Sequence, residues 1–201
     1  MQKLCSILFL LVVLGQWGQA QSTRQRGAQS LGFGIQIYPA GTIYNIKSAW
    51  AVSAKGELIG KLGYNIAQRE NFGEHDSEEG NGPGFTLAYK RYLRTGFKGW
   101  YAEGRMGMWF LDIDWRDNNP AASGNTDISV LQPTLGIGYD FPLKNERIKL
   151  GLLVAFGYEV NIVTSGEEVG QGGISLIGLS FMYNLNKAGK SSRAGSRTRT
   201  H

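Results

Sequence analysis

Two histidines, His75 and His201, and one cysteine, Cys5, are the whole supply of imidazole and thiol in 201 residues. Only His75 has neighbours that chemistry could use: Glu74 and Asp76 flank it, and Ser77 and Glu78 follow. A histidine with a serine and an acid partner is the composition of a hydrolytic site, provided a fold brings the three together. The same acidic run could attract a divalent cation, but it lacks the alternating oxygen-ligand spacing of a calcium loop such as D-x-D-x-D-G. The glycine clusters Gly170-Gln171-Gly172-Gly173 and Gly80 to Gly84 do not open a helix after a strand, so neither reads as a phosphate cradle. The expectation from these residues is a solvated loop around His75, no catalytic residues, no metal, no cofactor and no enzyme activity.

Most of the remaining charges sit in segments of strict alternation, and those segments must position them. From Arg147 to Ile162, the even positions Ile148, Leu150, Leu152, Val154, Phe156, Tyr158, Val160 and Ile162 are large and apolar. The odd positions between them include Lys149, Gly151, Ala155, Gly157, Glu159 and Asn161. A period of two over this length is a strand signature that a helix cannot reproduce. Leu131 to Phe141 and Trp100 to Phe110 read the same way, as do further runs over 31–38, 49–54, 58–67, 84–92 and 174–185. These give eight strands. Glycine, at 29 of 201 residues, falls largely opposite the apolar positions, where it suits a crowded interior better than a solvated surface. The fold expected is all-β, an eight-stranded antiparallel up-and-down transmembrane β-barrel. A soluble lipocalin-like barrel also alternates, but it usually adds a helix and an apolar lining, and neither is apparent.

The two ends of the chain read differently from the body. Lys3, the apolar stretch Leu4 to Leu14 and the small-x-small triplet Gly18-Gln19-Ala20 have the layout of a cleavable secretory signal. Cys5 stands near the start of that stretch, ahead of its uninterrupted core, and is removed with it, leaving no thiol for a disulfide. The net charge of +5 arises at the ends. Lys3 and the tail residues Lys187, Lys190, Arg193, Arg197 and Arg199 leave fifteen cations against sixteen carboxylates between Gln21 and Leu185, a balance of −1. Nucleic-acid binding has no basic face to rest on. The organisation expected is 1–20 signal peptide, 21–30 short N-terminal linker, 31–185 barrel and 186–201 disordered basic tail.

Connections add a direction. Lys55-Gly56-Glu57, Arg94 to Lys98 and Pro142 to Glu146 read as short turns, whereas Pro39 to Lys47, Glu70 to Pro83, Arg116 to Ile128 and Thr164 to Gly173 read as longer polar loops. Short turns at one end and loops at the other is the outer-membrane pattern, with both barrel termini periplasmic. In strand count, alternation, loop asymmetry and the final strand Gly178-Leu179-Ser180-Phe181-Met182-Tyr183-Asn184-Leu185, the chain resembles the small eight-stranded outer-membrane barrels of Gram-negative bacteria, the OmpA-like and OmpX-like group. It departs from that group in continuing past Leu185 instead of ending on an aromatic residue. The resemblance implies a non-enzymatic protein of the bacterial outer membrane with a structural or surface-interaction role through its extracellular loops. Its partners would be outer-membrane lipid and lipopolysaccharide, the barrel assembly machinery during insertion, and an unknown extracellular partner. The other readings are a narrow channel, a transporter of small apolar molecules, or a soluble lipocalin-like periplasmic barrel.

In such a barrel the inward charges meet one another. Pairing Arg94 with Gly99 sets Lys90 opposite Glu103 and Tyr92 opposite Tyr101, with Arg105 one step along; pairing Phe141 with Ile148 sets Asp140 opposite Lys149, with Glu159 higher on the same face. Eight strands leave room for little more than side chains, so these six charges are expected to form a lumenal ion-pair network. On the outward parity, Trp50, Tyr64, Tyr89, Trp100, Phe110, Tyr139, Phe141, Tyr158, Phe181 and Tyr183 are candidates for the interfacial aromatic girdles.

Overall fold

The computed structural model describes residues 29–71, 73–143 and 147–185. The segment expected to be a signal peptide, with Cys5, most of the expected linker and the tail expected to be disordered lie outside the described residues. Within them the chain forms eight strands: β1 (Gln29–Tyr38), β2 (Gly41–Ala51), β3 (Gly56–Glu70), β4 (Ser77–Tyr92), β5 (Gly99–Asn118), β6 (Ala121–Leu143), β7 (Ile148–Ser165) and β8 (Gly172–Asn184). Every neighbour pairs antiparallel, and β1 closes on β8 from Ser30↔Asn184 to Ile37↔Ile177, so the sheet is a closed barrel. Closure removes the unpaired edges an open sheet would expose. The start of β1 and the end of β8 meet at one end of the barrel, the end that also carries the β2–β3, β4–β5 and β6–β7 connections; we call it the lower end.

The loop asymmetry read from the sequence needs correction. Pro39 to Lys47 is not a loop: only Pro39 and Ala40 separate β1 from β2, and Gly41 takes φ 151° where a Cβ would strike the Ile66 carbonyl. Arg116 to Ile128 is not a loop either. β5 and β6 run on as a hairpin to Asn118↔Ala121 and turn through Asn119-Pro120. Glu78 and Glu79 belong to β4 instead of an acidic loop, and Asn81, Gly82 and Pro83 continue that strand. The upper connections are therefore short, and what rises at that end is ladder. β5–β6 reaches furthest, beyond the last β4–β5 pair, Ser77↔Arg116, and the last β6–β7 pair, Asp127↔Ser165. Two prolines fall where ladders pause. Pro83 sits in the break between Asn81↔Asp112 and Gly84↔Trp109, and Pro133 in that between Leu131↔Val160 and Thr134↔Gly157, as a residue without an N–H requires.

The outer wall changes character with height. Through the lower and middle barrel it is a belt of exposed apolar side chains, among them Leu135 at 74%, Ile177 at 66% and Phe156 at 64% exposure. All ten predicted girdle aromatics stand on this outward face. Trp100, Tyr139 and Phe141 cluster at its lower rim, with centroids 5.3 and 4.5 Å apart. Above Phe110 the chemistry of β5 reverses without any change of parity. Leu111, Ile113 and Trp115 are buried inside while Asp112, Asp114 and Arg116 face out. β6 does the same, with Thr126, Ile128 and Val130 buried and Asn125 and Asp127 exposed.

Candidate functional site: the lumen and its mouth

The lower lumen is ionic. Lys61 Nζ stands 2.7 Å from Glu103 Oε1, Lys90 Nζ 3.2 Å from Asp140 Oδ2, and Lys149 Nζ 3.1 Å from Glu57 Oε1. The Tyr92 hydroxyl donates to Asp140 Oδ2 at 2.5 Å, lies 2.9 Å from Glu57 Oε2, and accepts from Lys149 at 3.4 Å. Lys90 also lies over the Tyr101 ring, 3.8 Å from its centroid, a cation–π contact in a desolvated space. Arg105 reaches across to Gln36 Oε1 at 2.6 Å and to Thr134 Oγ1 at 2.8 Å. Small residues make room for these groups: a Cβ at Gly151 would stand 2.6 Å from both Asp140 Oδ1 and Ser180 Oγ. Phe97, from the β4–β5 connection, turns inward against Tyr92 and covers the lower end.

Five of the six lumenal charges read from the sequence, Lys90, Glu103, Arg105, Asp140 and Lys149, share this network. Glu159 is in a separate one higher up. The expected pairs Lys90↔Glu103 and Tyr92↔Tyr101 are the observed register. The β6–β7 register is two residues off the expected one: Phe141 pairs with Leu150 and Asp140 with Gly151, so Lys149 passes Asp140 at 4.0 Å and pairs with Glu57. The β6–β7 hairpin has two more pairs at its lower end, Pro142↔Lys149 and Leu143↔Ile148, than the expected turn allowed. Glu57, Lys61 and Arg69 escaped the sequence reading, although they lie on one parity of β3 and that parity was the available signal.

The upper lumen is packed with Trp109, Leu111, Ile113, Trp115, Ile128 and Val130, and its mouth is closed by two connections. In the first, residues 71–76, the backbone N–H groups of Glu74 and His75 donate to Glu78 Oε1 at 2.9 and 3.4 Å. From the second, residues 166–171, Val169 enters the apolar cluster and the Gly170 N–H donates to Glu78 at 3.0 Å. Arg69 binds Glu78 at 3.0 Å, Glu159 at 3.1 Å and the Gly170 carbonyl at 2.7 Å, and Gln132 donates to Glu159 at 2.9 Å. Thus Glu78 is a buried anchor that receives an arginine and three amides.

Among the described residues, His75 bonds to no serine. Its ring stacks on Trp115 at 4.1 Å with an interplanar angle of 11°. Nδ1 lies 2.9 Å from Asp117 Oδ2 and Nε2 3.0 Å from the Glu168 carbonyl, and the Asp76 N–H donates to Asp117 Oδ1 at 3.1 Å. Desolvation opposes the charge on His75, but the bond and charge of Asp117, with the Glu168 carbonyl and the charge of Glu78, outweigh it and raise the imidazole above its usual value of 6.5. The His75 bond, then the Asp76 amide, hold Asp117 below the ordinary carboxylate range. Both ring nitrogens face acceptors, and only the imidazolium has two protons to give. The arrangement ties the two connections together across the mouth.

On the outer wall beside the Pro83 ladder break lies an open groove of about 380 Å³, lined by Tyr64, Phe110, Val163, Asp112 and Asp127 among others.

No protein-family model and no curated protein matches the chain. Among solved structures it is similar to the outer membrane protein OprG of Pseudomonas aeruginosa, with 10% identity and a TM-score of 0.47 over 84% of this chain and 100% of that one. It is also similar to the N-terminal β-barrel domain of Pseudomonas aeruginosa OprF, with 13% identity and a TM-score of 0.46 over 79% of this chain and 98% of that one. The attachment invasion locus protein Ail of Yersinia pestis gives 10% identity and a TM-score of 0.46 over 79% and 99%.

Proposed function

We propose that this chain is a non-enzymatic integral β-barrel protein of the bacterial outer membrane, with both barrel termini on the periplasmic side. Its role is structural or surface-interacting. The observation that carries the membrane reading is the reversal on β5 and β6. A single wall that is apolar outside up to Phe110 and polar outside above it is solvated by two media, and the boundary falls at an aromatic residue. Trp100 to Phe110 is eleven residues, about the 9–11 that a tilted strand needs to cross the hydrocarbon layer. Outer-membrane lipid and lipopolysaccharide would then contact the belt. The β5–β6 hairpin, with Asp112, Asp114, Arg116 and Asn125 outward, would be the surface offered to an extracellular partner.

The closed lumen supports a structural role over a conducting one: Phe97 and Tyr92 fill the lower end, and Trp115 and Val169 the upper. Membrane fractionation followed by electrophoresis with and without boiling tests the reading. The expected result is recovery in the outer-membrane fraction with a heat-dependent change of mobility. A soluble periplasmic species that migrates identically before and after heating would overturn it in favour of a lipocalin-like barrel. Planar-bilayer recordings should show no discrete conductance steps; reproducible steps would establish the narrow-channel alternative.

A further inference from the structure

We propose that the lower rim of the barrel binds the headgroup of an anionic phospholipid, at a site shared by the β2–β3 and β4–β5 connections. The inference rests on the membrane reading above and adds which lipid the wall prefers, and where. The case begins with the division of charge between the two ends. At the upper end the exposed charges are mostly carboxylates, among them Glu79, Asp112, Asp114, Asp127, Glu167 and Glu168. At the lower end Arg91, Arg94, Lys98 and Arg147 are exposed. The lower carboxylates among the described residues, Glu57, Glu103 and Asp140, are all turned into the lumen, and each has a lysine within 3.2 Å. None is left to neutralise the cations of the rim.

Two interlocked connections gather three of the rim's cations. The Tyr92 N–H donates to the Lys55 carbonyl at 2.8 Å, Lys55 Nζ donates to the Leu93 carbonyl at 3.0 Å, and Gly56 pairs with Arg91. The Lys55 ammonium is thus held between the two strand ends with two protons still to give. Arg91 stands on the outward face of β4 between exposed Tyr89 and Leu93, and among the described residues it is the one charge on that face below Pro83. Arg94 follows in a connection that Phe97 anchors by packing inward against Tyr92, with ring centroids 5.8 Å apart. Neither guanidinium has an acceptor among the described residues. Exposed Trp100 lies beside them, its carbonyl accepting from the Leu93 N–H at 3.0 Å, and such rings settle at headgroup depth. A guanidinium whose stem lies on an apolar wall reaches for the polar layer, where its fork matches two phosphate oxygens. A zwitterionic headgroup would bring its own ammonium into this cluster of cations; an anionic one would not.

Native mass spectrometry provides the test, on the full chain refolded into detergent micelles with equimolar phosphatidylglycerol and phosphatidylcholine. The parent should retain phosphatidylglycerol in preference by about fivefold, the factor that one basic residue near an anionic surface supplies. Lys55→Gln/Arg91→Gln/Arg94→Gln should bring the ratio close to one. Lys187→Gln/Lys190→Gln/Arg193→Gln, which removes cations of the tail instead, should leave it unchanged. Equal retention of the two lipids by the parent, or a preference that survives the rim variant and disappears with the tail variant, would overturn the site. Should the triple rim variant not refold, Arg91→Gln/Arg94→Gln spares the Lys55 bond to Leu93, and an undiminished preference there overturns the site as well. Heat-dependent mobility in the same micelles separates the two readings. A chain that lacks it fails as a membrane barrel and takes this site with it, whereas a heat-modifiable barrel without lipid preference overturns the site alone.

Discussion

β5 contains two proteins' worth of chemistry on one strand. From Trp100 to Phe110 its outward residues include Trp100, Met106 and Phe110, and its inward residues include Glu103 and Arg105; from Leu111 to Arg116 the inward residues are Leu111, Ile113 and Trp115, and the outward ones Asp112, Asp114 and Arg116. The pleat runs unbroken through both halves. Alternation therefore specifies only that a strand has two faces, and the face that carries the apolar residues reports the surrounding medium. Below Phe110 the charges of the strand point toward the barrel axis and most of its apolar residues away from it, inward Tyr101 and Trp109 excepted. Above Phe110 the barrel is built like a water-soluble sheet, with its core inside and its carboxylates in solvent.

The difference can be broken at several points. The largest effect is expected in the ionic half. Lys61→Met leaves the buried Glu103 without its 2.7 Å partner and should cost about 3–5 kcal/mol in urea titration in lipid vesicles. Lys61→Met combined with Glu103→Leu removes both charges and should recover most of that loss. A single variant as stable as the parent would show that the lower lumen is hydrated. Next comes the belt. Val154→Arg, outward on β7 and 43% exposed, should lose about 2–4 kcal/mol, as a charge near the bilayer midplane does. Asp114→Arg, outward but above the reversal, should change stability by less than about 0.5 kcal/mol, as an exposed surface position does. Equal losses at the two positions would erase the boundary drawn at Phe110.

The smallest effect concerns the mouth. His75 has a folded pKa above its unfolded value near 6.5, so its contribution is complete below that value and fades as pH rises through the raised folded pKa. Asp117 acts in the opposite sense, contributing above its unfolded value and losing that contribution as pH falls through its depressed folded pKa. The tie between the two connections is thus complete between the ordinary values of the two groups, 3.8 and 6.5, and fades outside that range. Amide exchange over 73–76 and 166–171, corrected for its intrinsic pH dependence, should accelerate on the alkaline side, and His75→Gln should flatten that dependence while leaving exchange in the belt strands unchanged.

The number of strands, their parity and the outward aromatics were legible because each belt strand carries enough alternating residues to exceed chance. The start of β2 and the upper β5–β6 hairpin were not. Pro39, Gly41, Asn118, Asn119, Pro120 and Gly124 are turn formers, and outward Asp112, Asp114 and Asp127 make a ladder look like a solvated loop. In the lumen, Lys90 and Glu103 were legible as cross-strand neighbours in one hairpin. Lys61 and Glu103 were not, because β4 lies between their strands and only barrel curvature brings them within 2.7 Å. Glu78 was hidden for another reason: four neighbouring carboxylates made it look like one more surface charge, whereas its burial depends on Arg69 and on a backbone amide ninety-two positions away.

That long reach orders events in time. Gly170 sits between β7 and β8, so it can deliver its N–H to Glu78 on β4 only once the chain ninety-two positions on has been placed, and the carboxylate would gain that partner late in assembly. Contacts formed after the rate-limiting step slow unfolding and leave the folding rate nearly unchanged. The seal over the mouth would then act as a kinetic clasp, setting how long a finished barrel lasts more than how quickly one is made.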